Sequence, residues 1–214
     1  MDLVQQSPPI LETRLDNWDR KIGVFGGDVR ILYEPDDLSI RITSKTGAFD
    51  LYLFLYTNEM MIMYIRATKT QSGNDIIKLL YLAADKLGIS QIELCDTSTI
   101  HNGHIRLAYY HILLHGISWY NSHGFVGTVF EEDTQYNLSQ ITRKIQDVTS
   151  NSMKKLLEDV LGDEYNPAIT VREVMQELHW FLRRGGEDMR IYNLIEYFIR
   201  ELKIRYNPFL KSKK

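Results

Sequence analysis

The chain of 214 residues is 44% hydrophobic and 25% charged with a formal net charge of −3, the balance of a globular protein large enough for one domain or a domain with a small appendage. No window approaches the roughly 18 apolar residues of a membrane span, no basic leader followed by an apolar run opens the sequence, and one cysteine, Cys95, excludes an internal disulfide framework or a cysteine-based zinc cluster. These features predict a soluble, cytoplasmic protein. Charge is uneven: residues 151–214 carry 12 Lys and Arg against 10 Asp and Glu, a net of +2 that leaves −5 on residues 1–150. The basic KSKK tail is too short for a nucleic-acid footprint and reads as solvated.

Residues 1–20, with Pro8 and Pro9, predict an irregular lead-in. Four strands follow: DVRILYE, LSIRITS after the turn Pro35-Asp36-Asp37, and the apolar runs FDLYLFLYT and MMIMYIRATK about Asn58-Glu59. They read as an antiparallel meander over 28–70, the last two strands buried on both faces. From Ser72 the period becomes helical, with apolar residues from Ile76 to Leu87 and a stop at Gly88. ISQIELCD is a strand, Thr97–Gly103 a polar break, HIRLAYYHILLHG a helix ending at Gly116, and VGTVFEE a further strand after SWYNSHGF. A helical crossover makes the strands on either side of the 74–87 helix parallel neighbours. Beyond Asn137 no strand is expected. SQITRKIQDVTSNSMKKLLEDVLG, ITVREVMQELHWFLRRGG and DMRIYNLIEYFIRELKIRY carry helical periodicity, broken at Gly162, Pro167 and Gly185-Gly186. The aromatic residues here, including Trp180, Phe198 and Tyr206, fall at core spacing, and the segment is expected to pack onto the α/β domain.

The stretch Met61–Phe130 resembles the core of the GNAT (N-acetyltransferase-like) superfamily and is most similar to GNAT-like proteins of large DNA viruses. MIMYIRATKTQSGNDIIKLLYLA has the family's strand, splayed loop and helix in order. ISQIELCDTS matches its second core strand, and SWYNSHGF its Y-x-x-x-G-F element, with Tyr120, Gly124 and Phe125 in register. The resemblance implies a GNAT-like mixed sheet, an antiparallel meander plus parallel central strands, over residues 21–136, with a helical C-terminal extension over 137–214. It implies acetyl-CoA as cofactor, its pyrophosphate held at a helix N-terminus by the loop Thr68, Thr70, Gln71, Ser72, Gly73 and Asn74. It also implies Tyr120 as the acid that protonates the departing thiolate. The sequence departs from the family's Q/R-x-x-G-x-G/A loop: Gly73 takes the second glycine position, but Gln71 stands at the first and Thr68 at the Q/R position.

For a general base, Asp96 at the end of the second core strand is the candidate over Glu93 and Cys95, because ligands gather at the C-terminal ends of strands in α/β sheets. Five of six histidines lie between His101 and His123, with His111 and His115 one turn apart. HILLH lacks the glutamate of H-E-x-x-H, and no carboxylate nearby completes a ligand set, so no metal is expected. Two functions follow from these residues. One is an acyl-CoA-dependent N-acyltransferase acting on an amine acceptor. The other is a catalytically inactive GNAT-fold binding or structural subunit with a protein partner, in host cytoplasm or virion.

Overall fold

The computed structural model describes residues 22–100, 103–162, 165–184 and 188–213. The expected lead-in over 1–20, His101 and the Gly185-Gly186 break lie outside them. The chain divides into two compact units, one of residues up to Cys95 together with those from Lys211 onward, the other Asp96–Leu210. The boundary expected at 136/137 falls inside a helix of the second unit.

The first unit is a mixed α/β layer. Strands β1 (Val29–Glu34), β2 (Ser39–Ser44), β3 (Phe49–Phe54) and β4 (Glu59–Ile65) form the expected antiparallel meander. Helix α1 (Gly73–Leu87) then leads to β5 (Gln91–Cys95), which pairs parallel with β4 from Glu59 opposite Gln91 to Ile62 opposite Leu94. Strand register lines up two apolar rows on one face. They run Tyr33–Ile40–Leu53–Met60–Ile92 and Ile31–Ile42–Leu51–Ile62–Leu94. From β2 to β5 every member is buried, and only the Ile31 end is open, at 49% exposure. Helix α1 packs on β4 and on the short turn Gly23–Phe25, burying Ile76, Ile77, Leu80, Ala83, Ala84 and Leu87, the one-sided spacing its sequence announces. On the other face Asp50 is held bidentately by Arg41 (2.6 and 3.1 Å) and accepts from the Thr43 hydroxyl. β4 is less buried than expected, since Met63 and Tyr64 are exposed.

A sixth strand, β8 (Phe209–Lys213), lies beside β5. The expectation that strands end near Asn137, and that KSKK is a solvated tail, is corrected here. Ser212 is buried, 2.8 Å from the Tyr81 hydroxyl, and Lys211 pairs with Glu93. Local alternation over FLKSK is too short to announce a strand; its partner edge supplies the order.

The second unit opens with the small antiparallel pair β6 (Thr99–Ile100) and β7 (Ile105–Arg106) inside the supposed polar break. Helices α2 (Leu107–His115), α3 (Trp119–Ser122), α4 (Phe130–Ile141), α5 (Ile145–Val148), α6 (Asn151–Leu161), α7 (Val171–Arg183) and α8 (Met189–Glu201) follow. The apolar α2 is central, touching α3, α4, α7, α8 and β7. Leu113, Leu157, Val174, Leu178, Ile195 and Phe198 are fully buried in one core. Gly116 ends α2 at φ +87°, a conformation that favours glycine, and a Cβ there would press on the Leu138 side chain.

The strand expected over Val126–Glu132 is absent. Phe130 begins α4, whose first turn carries Glu131, Glu132 and Asp133, carboxylates that favour a helix N-terminus over a strand. The single helix expected from Ser139 to Gly162 is three. Ile145 N–H donates to Ile169 and Val171 N–H to Arg143, so a short backbone bridge interrupts the helix and Ser150 caps the restart.

Leu51→Ala, in the centre of a buried row, is expected to lower stability to urea by about 2–5 kcal/mol. Leu32→Ala, on the exposed face of β1, should change it by less than about 0.5 kcal/mol. Equal effects in urea denaturation would refute the assigned strand phase.

Candidate functional site

Loop 68–74 belongs to the first unit, and its hydrogen bonds are largely internal. The Thr68 hydroxyl accepts from the N–H groups of Thr70 (3.3 Å) and Gln71 (3.1 Å), while Thr68 N–H donates to the Gln71 carbonyl. Ser72 caps α1 in a reciprocal box. Its hydroxyl oxygen receives Asp75 N–H at 3.2 Å, and the Asp75 carboxylate accepts from Ser72 N–H and from the Ser72 hydroxyl at 2.7 Å. These bonds hold the Asp75 carboxyl below the usual carboxylate range. The helix end that a pyrophosphate would approach therefore carries its own anion. Gly73 is the first helical residue and has no left-handed φ.

Near this loop the parallel ladder stops at Ile62 and Leu94, while β4 continues to Ile65 with a register shift that makes Met63 an extra residue. Thr70 and Gln71 border an open hollow of about 310 Å³, lined also by Phe25, Val29, Ser44 and Phe49.

Asp96 and Tyr120 belong to the second unit, which brings them into one buried network. Both are 5% exposed. One Asp96 oxygen accepts from Ser98 N–H at 3.0 Å and from the Ser98 hydroxyl; the other accepts from Tyr206 OH at 2.6 Å. Asp96 N–H donates to Pro208 C=O at 2.8 Å. Burial first, then the nearby Asp96 charge, raises the Tyr120 phenol well above its ordinary value, against a lowering hydrogen bond to Ser98. Tyr206 is raised in the same way, by burial and by Asp96, against a bond to Ser118. Both phenols thus hold their protons, and the carboxylate has three donors on it.

The WYNSHGF turn closes on itself. Ser118 and Asn121 form a capping box, Asn121 Nδ2 donates to Phe125 C=O at 2.7 Å, and Phe125 N–H donates to Tyr120 C=O. Gly124 sits at φ +87° and Phe125 is buried against the Tyr120 ring. Glycine and both aromatics are thereby explained by the turn's geometry.

Glu93 is engaged by Gln91 and Lys211. The rings of His111 and His115 lie tilted at 45° to each other with centroids 4.3 Å apart, and His111 Nδ1 lies 2.8 Å from Ile117 C=O. Tyr110, pushed up to about 12 by burial, lies 2.6 Å from His179 Nδ1. No group of three or more His, Cys, Asp or Glu side chains placed to hold a metal occurs among the described residues.

Sequence reasoning picked out Asp96 and Tyr120 and missed Ser98 and Tyr206 as their partners. Tyr206 lies 110 residues from Asp96 in the chain, and its aromatic spacing marked it only as core. No protein-family model matches the chain, and neither a curated protein nor a solved structure matches it significantly.

Tyr206→Phe should lower stability by about 1.5–3 kcal/mol, the range for a hydrogen bond to a buried charge, read by urea denaturation; a neutral result would remove the carboxylate–phenol bond from the account. Burial also holds the imidazoles of His111 and His115 below their ordinary 6.5. The unfolded chain then takes up protons that the folded chain refuses, so stability is fully present above 6.5 and falls as pH drops below it toward the folded values. Melting temperatures across this window should fall less steeply for His111→Gln/His115→Gln than for the parent chain.

Proposed function

We propose that this chain is a GNAT-like α/β protein with a helical unit, acting as a binding or structural subunit rather than as an acyltransferase. The order meander, helix, parallel strand supports the GNAT-like reading. So does the β4 bulge at Met63, where pairing with β5 ends. The observation that carries the functional choice is the capping box on α1. Pyrophosphate binding at a helix end relies on free N–H groups and an uncompensated positive dipole. Here the Asp75 carboxylate already occupies that position, with Ser72 and Asp75 N–H groups bonded within the box.

The catalytic candidates support the same choice. A general base needs a lone pair open to the substrate amine. Asp96 is buried and accepts three hydrogen bonds from its own chain. Tyr120 is packed against Trp119 and Phe125 beneath its turn. The groups a transferase would use serve as fold ties, and the partner is a macromolecule recognised by surface.

Calorimetric titration with acetyl-CoA tests this reading. Up to about 1 mM, no saturable heat and no melting shift are expected, whereas a site with Kd of about 10 µM would add about 2.7 kcal/mol of stability at that concentration. Saturable binding lost in Gly73→Val, with turnover lowered about 10²–10⁴-fold in Tyr120→Phe, would establish the transferase instead.

A further inference from the structure

Among the described residues no strand pairs with the outer edge of β1. Which groups face that edge follows from the ladder on the inner side. Lys45 N–H donates to Asp28 C=O at 2.8 Å, one step beyond the Val29–Ser44 pair. Hydrogen-bonded pairs alternate along an antiparallel ladder, so Arg30, Leu32 and Glu34 bond to β2, and Val29, Ile31 and Tyr33 direct N–H and C=O outward. The far side of β2 gives the same phase independently, since Leu55 N–H donates to Leu38 C=O and Ile40 and Ile42 lie two and four residues on in register with β3.

The edge is apolar and weakly defended. Ile31 and Leu32 are 49% and 58% exposed. Arg30 and Glu34 are its only charges within the strand and take part in no salt bridge among the described residues. Exposed edges are ordinarily guarded by like charges, proline or bulges; here the two charges have opposite sign and flank Leu32 symmetrically.

We propose that two copies of this chain associate through their β1 edges, antiparallel about a two-fold axis through Leu32. In this register Ile31 and Tyr33 of one copy face Tyr33 and Ile31 of the other, and their outward N–H and C=O groups form four hydrogen bonds. Leu32 meets Leu32, and Arg30 meets Glu34 twice. These are the non-hydrogen-bonded pairs, in which side chains approach most closely. On the other face, the Ile31 row of each copy runs on into the Tyr33 row of the other, covering the one open end of the buried rows. A register two residues along either way breaks the Arg30–Glu34 pairing: one sets Pro35, which has no N–H, opposite Ile31 and moves the partner of Arg30 to Asp36 in the turn beyond the strand, and the other sets Glu34 opposite Asp28. The occupant the edge fits is thus the edge itself.

Sedimentation of the full chain from about 1 to about 500 µM, the range for a short interface, should show a monomer–dimer equilibrium. Arg30→Glu and Glu34→Arg should each weaken it at least about tenfold, because each creates two like-charge pairs in place of two ion pairs. An equimolar mixture of the two variants, and the double variant Arg30→Glu/Glu34→Arg, should both restore it. Ile31→Pro removes an outward N–H without touching the β2 ladder and should leave a monomer with a far-UV spectrum like the parent's. A monomer at every concentration overturns the proposal. A dimer whose affinity is the same in both single variants and in their mixture overturns it as well.

Discussion

Register is the constraint on which the first unit depends. Strand pairing places Ile42, Leu51, Ile62 and Leu94 in one line and Ile40, Leu53, Met60 and Ile92 in another. A slip of one residue in any strand would turn its apolar side chains to the other face. The rows form the surface against which α1 packs, and α1 in turn provides the crossover that makes β5 parallel to β4. The bulge at Met63 belongs to the same logic. It lets β4 keep its core phase beside β5 while its last residues stay paired with β3.

In the second unit the comparable tie is polar. Asp96, the residue at which the unit begins, accepts from Tyr206 and donates its N–H to Pro208, near the unit's end. The Asn137 side chain reinforces the returning segment by bonding both N–H and C=O of Arg205, as a neighbouring strand would. A buried carboxylate is costly without partners, and three donors make this one a clasp between the ends of the unit.

Much of this was legible in the sequence where the signal is local. Alternation over residues 28–65, the Ser72 and Gly88 boundaries of α1, and the strand after it lead directly to β1–β5 and the parallel pairing. The α4 start was not, because VGTVFEE alternates like a strand while its acidic residues act through the helix end they form. β8 was hidden for the opposite reason, being five residues whose order comes from a partner far away in the chain. Of the candidate residues, Asp96 and Tyr120 lie in one buried network, whose further members Ser98 and Tyr206 were not legible because they reach it only in three dimensions. The Ser72–Asp75 box at the start of α1 was not read from the sequence, because it exists only once both reciprocal bonds are in place.

β8 also sets an order of events in synthesis. Lys211 meets Glu93 across 118 residues of chain, so β5 and the strands before it leave the ribosome well ahead of their last neighbour. At typical elongation rates the intervening helical unit takes on the order of ten seconds to emerge, and throughout that interval β5 is a bare margin of the nascent sheet. Gln91 and Glu93, side by side on that strand and joined by a 2.6 Å hydrogen bond, make it an inhospitable margin for a foreign strand. The negative charge of Glu93 acts as a placeholder, relieved when Lys211 arrives.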